Sequence, residues 1–252
     1  MSYEREYHDD RGFPPLRDPH SIPAGPVLVV APHPDDEIIG CGGLMAFHRE
    51  RGDPVVVVHV TGGEGGDPEA REEGELVAVR REESRRALTV LDVDQLVTLG
   101  LPDGGVRPEA PARDRLQQEI DKHAPAVVYA PSPFECHPDH RATSWLTGWA
   151  LRESPIQARL HLYEVNHPVL TSWIVDVTPW VEKLREALTQ FKSQLRYQDI
   201  VGKCLGAAYS RTVNIALPGV DYAEGYLEIT PEDLPAFWDG LQELERSARC
   251  SR

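Results

Sequence analysis

Residues 27–43 read VLVVAPHPDDEIIGCGG. The apolar run Val27–Val30 is too short and too rich in valine for a helix. It reads as a strand buried on both faces, as in a parallel sheet. A polar knot follows at once: His33, Pro34, Asp35, Asp36 and Glu37. Glycines then lead into a helix over 37–51, which Gly52-Asp53-Pro54 ends. A strand that ends in ionisable groups and turns into a helix is the unit from which the rest of the chain is built.

That unit recurs. PVVVVHV (54–60) is a second strand, and 76–91 a helix with apolar residues among many charges. QLVTLGL (95–101) is a third strand, followed by the loop PDGGVRP and a helix over 112–123. AVVYA (126–130) is a fourth strand, and a helix runs from the segment His137-Pro138-Asp139-His140 to about residue 153. Strand and helix alternating in this way imply right-handed crossovers and an α/β fold with a mostly parallel sheet. In such sheets ligands bind beyond the carboxyl ends of the strands. Both histidine segments, the acidic glycine-rich loop 61–75 and the loop 101–108 fall on that edge. Past 155 the pattern weakens. Strands are expected at 159–165, 172–178 and 225–230, one helix over 181–197 with Thr178 as cap and Pro179 at its first position, and a last helix over 231–249. Residues 1–25 are expected to form an extended arm, and 26–252 a single domain.

The 252 residues carry a net charge of -15, which disfavours nucleic acid and anionic membranes as partners. The proline-rich arm lacks a signal peptide's apolar core, and no run reaches the ~20 apolar residues of a membrane helix. Cys41, Cys136, Cys204 and Cys250 form no C-x-x-C pair. A soluble, cytoplasmic protein with reduced thiols is expected, and the arm and the segment after 155 are open to a homo-oligomeric contact.

His33 and Asp36 are spaced so that both can meet one ion, and His137 and His140 repeat the spacing. Catalytic zinc takes three protein ligands and leaves a position for water. His33, Asp36 and His140 would serve, with Asp35 as general base. His137, if protonated, would stabilise an oxyanion, and Asp139 would orient His137 or support its charge. Either segment alone is equally compatible with a capped turn; the pairing of two at equivalent strand ends is what points to a metal. The glycines do not form a dinucleotide fingerprint, the 61–75 loop is not a P-loop, and no G-x-S-x-G elbow is present. His59, at the end of a buried strand, reads as a core histidine, and Glu37 as a residue that orients a neighbour or caps the helix.

APHPDDE (31–37) together with HPDH (137–140) resembles the PIG-L/LmbE-type family of zinc-dependent N-deacetylases. RREE (80–83), LGLPDGG (99–105), KSQ (192–194) and YAEGY (222–226) resemble further signatures of that family, so the likeness spans roughly 26–230. PSPFEC before the second segment, and Phe191-Lys192 before the Ser-Gln, depart from it. The resemblance implies a Rossmann-like three-layer α/β/α domain that removes acetyl from an N-acetylglucosamine-type sugar or conjugate. It implies zinc, with Fe2+ as the alternative ion. By motif position His33, Asp36 and His140 correspond to metal ligands, Asp35 to the base, His137 to the oxyanion-stabilising histidine and Asp139 to its partner. Arg80 and Asp103 correspond to positions that hold sugar hydroxyls. Two other readings stay open: a metal hydrolase of a different amide or ester, and a sugar-binding member without catalysis.

Overall fold

The computed structural model describes residues 14–69 and 76–250. The expectations for residues 1–13 of the arm, for 70–75 of the acidic loop and for the Cys250 thiol lie outside the described residues. The sheet has eight strands in the order β1-β7-β8-β6-β5-β2-β3-β4. Its centre is β2 (Val27–Ala31), parallel to β3 (Val55–Thr61) on one side and to β5 (Val127–Pro131) on the other. β4 (Gln95–Leu101) continues the parallel set beyond β3, and β6 (Arg159–Tyr163) beyond β5. β8 (Ala223–Ile229) is antiparallel to both β6 and β7 (Trp173–Asp176).

Period-two alternation along β2 sends Val27 and Val29 into one core and Leu28 and Val30 into the other. Helices α1 (Asp36–Arg51), α2 (Leu76–Val90), α5 (Val181–Leu188) and α7 (Ile200–Ser210) cover the first face. Helices α3 (Ala110–His123), α4 (Pro138–Glu153) and α8 (Leu234–Cys250) cover the second. Every β2 residue is buried, and each such Val or Leu contributes about 1.5–3 kcal/mol relative to exposure. The mostly parallel sheet is the one that the strand–helix alternation predicts, and helices on both faces make the three layers that the family resemblance implies.

Two elements differ from expectation. The helix expected over 181–197 is broken: α5 stops at Leu188, and the four-residue α6 (Lys192–Leu195) follows a turn. The buried Glu83 carboxylate explains the break. It accepts from Ser193 N at 2.8 Å and from Ser193 Oγ at 2.7 Å, which re-aims the chain against α2. α7 has no counterpart in the sequence reading. In the arm, β1 (Leu16–Arg17) pairs in parallel with β7. Among the described residues, Cys41, Cys136 and Cys204 are free thiols, and no helix is long and apolar enough to cross a membrane.

Candidate active site

The carboxyl ends of β2, β3, β4 and β5 and the first turns of α1 and α4 surround a pocket of about 480 Å3. α4 starts at Pro138, with His137 as its N-cap: His137 Nδ1 accepts from Asp139 N at 3.2 Å. α1 starts at Asp36, where two acidic side chains sit against the positive end of the helix dipole. Its glycines allow close packing. A Cβ on Gly40 would lie 2.2 Å from Tyr163, and one on Gly43 2.7 Å from Val177.

Three atoms from the two knots meet. His33 Nδ1 lies 3.1 Å from Asp36 Oδ2, His140 Nε2 lies 3.2 Å from the same oxygen, and the two nitrogens are 3.3 Å apart. A tetrahedral ion with bonds of about 2.0–2.1 Å holds its ligand atoms about 3.3 Å apart. The other imidazole nitrogens face carboxylates. His33 Nε2 is 3.0 Å from Asp103 Oδ1 and 3.5 Å from Asp139 Oδ2. His140 Nδ1, which has no hydrogen-bond partner, is 3.5 Å from Glu135 Oε2. Carboxylates behind metal-binding imidazoles are the usual supporting arrangement. Burial alone would lower the pKa of His33, yet Asp103, Asp139 and Asp36 overcome it and raise it to about 12. Burial opposes charge on His140 too, and Asp36 and Glu135 raise it to about 9. The cluster therefore demands positive charge, and its two imidazoles and one carboxylate oxygen are a donor set that fits zinc or ferrous iron. Two other donor groups have atoms within 4.8 Å of one another: His33 with His137 and His140, and His33 with Asp103 and Asp139. Both are less suited, because His137 Nδ1 already accepts from the backbone and Asp139 is held by two amides.

Asp35 sits beside this trio in a conformation rare for a non-glycine residue, with φ 120°. Surrounding bonds fix it. Its N–H donates to Glu37 Oε2 at 3.0 Å, and Arg80 Nη2 approaches its Oδ2 at 3.2 Å. Burial raises the Asp35 pKa to about 7; Arg80 opposes the rise, while Asp36 and Glu37 add to it. A carboxyl poised there can exchange a proton near neutrality.

The remaining residues fall as follows. Glu37 also binds Ser84 Oγ at 2.7 Å and faces His59 Nε2 at 3.1 Å, so His59 is a partnered core histidine. The Asp139 carboxylate accepts from Gly104 N at 2.6 Å and Val106 N at 3.2 Å, and leans on His33. It thus anchors the loop after β4; only its backbone N–H meets His137. Desolvation, His33 and His140 lower the His137 pKa, against the opposing pull of Asp139 and Asp36. Because Nδ1 accepts from Asp139 N, the ring proton belongs on Nε2, which is then a donor. Arg80 Nη2 donates to Pro34 O at 2.6 Å and Nη1 to Gly63 O at 3.0 Å, leaving Nε unpartnered. Asp103 is engaged by His33 and by Gly65 N at 2.8 Å. Both line the pocket, but both are already committed to the scaffold.

Sequence reasoning passed over Glu135. It is 1% exposed, its carboxylate accepts from Val165 N at 2.6 Å and Asn166 N at 3.1 Å, and it backs His140. An acid two residues before the second knot was its only trace. Asn166, Gln194 and Gln198 also line the pocket.

The model of the family described as PIG-L, GlcNAc-PI de-N-acetylase, matches residues 28–150. A probable N-acetyl-alpha-D-glucosaminyl L-malate deacetylase 2 of Bacillus anthracis is 32% identical over 186 residues, covering 67% of this chain and 80% of that protein. The chain belongs to the PIG-L family. Diacetylchitobiose deacetylase of Thermococcus kodakarensis, another relative, is 34% identical over 124 residues, 48% of this chain but only 46% of the relative. Among solved structures, the N,N'-diacetylchitobiose deacetylase of Pyrococcus horikoshii in complex with an inhibitor superposes with a TM-score of 0.75. The match has 26% identity and covers 86% of this chain and 88% of that one. The PIG-L match takes in both knots, and the structural match extends the likeness over the sheet and its helices.

Proposed function

We propose that this protein is a metal-dependent N-deacetylase acting on an N-acetylglucosamine-type sugar or conjugate. The observation that carries the reading is the mutual spacing of His33 Nδ1, Asp36 Oδ2 and His140 Nε2, at 3.1 to 3.3 Å, beside the buried Asp35. The names of the relatives support the substrate class.

His33, Asp36 and His140 would hold the ion, and their donor set suits zinc or ferrous iron. When bound, such an ion polarises the amide carbonyl and acidifies water. Asp35 accepts a proton from the attacking water at a carboxylate oxygen and later gives it to the departing nitrogen, so that acetate and a free amine leave. His137 Nε2–H donates to the carbonyl oxygen as it becomes negative. Asp103 and Asp139 hold the His33 ring, and Glu135 faces that of His140, so neither imidazole has to reorient during the reaction. Asn166, Gln194 and Gln198 offer the amides a sugar's hydroxyls need.

Asp35→Asn tests the assignment. Elemental analysis should find its metal content unchanged, while acetate release from N-acetylglucosamine conjugates falls by about 10^2–10^4. Near-native turnover in that variant would remove Asp35 from the chemistry.

A further inference from the structure

We infer that the site accepts N-acyl groups longer than acetyl, with the chain lodged in a recess beneath Ile39 and Val165. The inference rests on the amide-hydrolysis reading above. Most side chains lining the catalytic pocket are polar or charged, and its apolar side chains are Ile39 and Val165. Both also line a second cavity of about 90 Å3, with which the pocket shares Asn166 and Gln198 as well. The recess has a polar rim and an apolar floor: Asn166, Gln198 and Lys203 are exposed, whereas Leu184, Ile200, Cys204 and Ala208 are buried.

The two ends of an N-acyl amino sugar differ in kind. Its hydroxyls need hydrogen-bond partners, and its acyl methyl needs none. The polar wall suits the sugar, so the acyl carbon chain is directed to the wall made by Ile39 and Val165. Carbons past the methyl then enter the recess. The charged side chains that line the recess are already partnered, Lys203 by Gln198. Glu224 is bound by Gly43 N, Leu44 N and Tyr226 Oη, and Arg211 is paired with Glu164. Such groups, already bonded within the protein, do not hold solvent in the way unpaired ones do. The reaction balances as for acetyl. The amide C–N bond breaks, water oxygen forms the new C–O bond, and a water proton ends on the amine, so butanoate replaces acetate as product.

The experiment compares N-acetyl-, N-butanoyl- and N-hexanoyl-glucosamine as substrates of the metal-loaded full chain. Ala207, which lines the recess away from the catalytic pocket, is changed to Phe and, in a milder variant, to Val. Melting curves check that each variant is folded. In the wild type, kcat/KM for the butanoyl amide is expected within about ten-fold of that for acetyl. Ala207→Phe should lower the butanoyl-to-acetyl ratio by about ten-fold or more, the size of effect a filled apolar pocket produces, with Ala207→Val between. Acetyl turnover without butanoyl turnover, or a ratio that neither variant moves, would overturn the inference alone. Absence of hydrolysis of all three amides would overturn the underlying amidase reading with it.

Discussion

His33 Nδ1 and His140 Nε2 face each other at 3.3 Å although 107 positions separate the residues in sequence. Each comes from the loop or first turn that follows one of two adjacent parallel strands, β2 and β5. With the outer nitrogen of each ring turned to a carboxylate, both facing nitrogens can present lone pairs to one shared cation. His140→Asn is therefore expected to lower bound zinc well below one ion per chain by elemental analysis, with the fold kept by circular dichroism. An unchanged metal content would dissolve the proposed ligand set.

Glu135 supports that pair from behind. Its carboxylate is fixed by backbone amides of 165 and 166, and it faces His140 Nδ1 at 3.5 Å. Glu135→Gln keeps the shape and removes the charge. Zinc affinity measured by chelator competition should fall by about 10–100-fold. If affinity holds while thermal stability drops, Glu135 is only a loop anchor.

Arg80 distinguishes two roles. Its guanidinium holds Pro34 O, Gly63 O and the Asp35 carboxylate. Loss of these contacts misplaces the base, and errors near 1 Å cost about 10^2-fold in rate. Arg80→Lys should therefore reduce kcat by roughly that factor with a smaller change in KM. A rise in KM at constant kcat would instead make Arg80 chiefly a sugar contact.

Acid sensitivity should come from buried histidines remote from the metal site. Burial lowers the pKa of His161 to about 3 and that of His48 to about 4, against an ordinary value of 6.5. Both are neutral in the fold, and neither nitrogen of His161 has a hydrogen-bond partner. Above pH 6.5 their contribution to stability is complete. As pH falls toward 4, the unfolded chain takes up protons that the folded one refuses, and stability declines by about 1.4 kcal/mol per pH unit per histidine. Urea midpoints of the metal-loaded protein between pH 7 and 5 should follow this slope, and His161→Leu should flatten it by about one proton's worth. An equal slope in the variant would assign the decline to other groups.

Much of this architecture was legible because β2, β3 and β5 carry short valine-rich runs, each ending in punctuation that only a loop or helix start tolerates. The site was legible because His33, Asp35, Asp36, His137 and His140 lie within a few residues of those strand ends, where spacing limits what they can reach. The rest required tertiary contacts. Nothing local marks Ser193 as the residue whose bonds to Glu83 split one expected helix in two. Nor does the YAEGY stretch announce that Glu224 accepts from Gly43 N and Leu44 N at 2.7 and 3.1 Å, tying β8 to α1. Nor does the sequence show that the Asp139 side chain, beside its pull on His137, also holds the loop after β4 through amides of 104 and 106.

The most direct test of the account is acetate release from N-acetylglucosamine conjugates by chelator-stripped protein titrated with Zn2+. The stripped chain should be near background, and activity should return and saturate at about one ion per chain, since one set of ligands serves one site. Full activity in the stripped protein, or no acetate from any such conjugate at saturating metal, would contradict it.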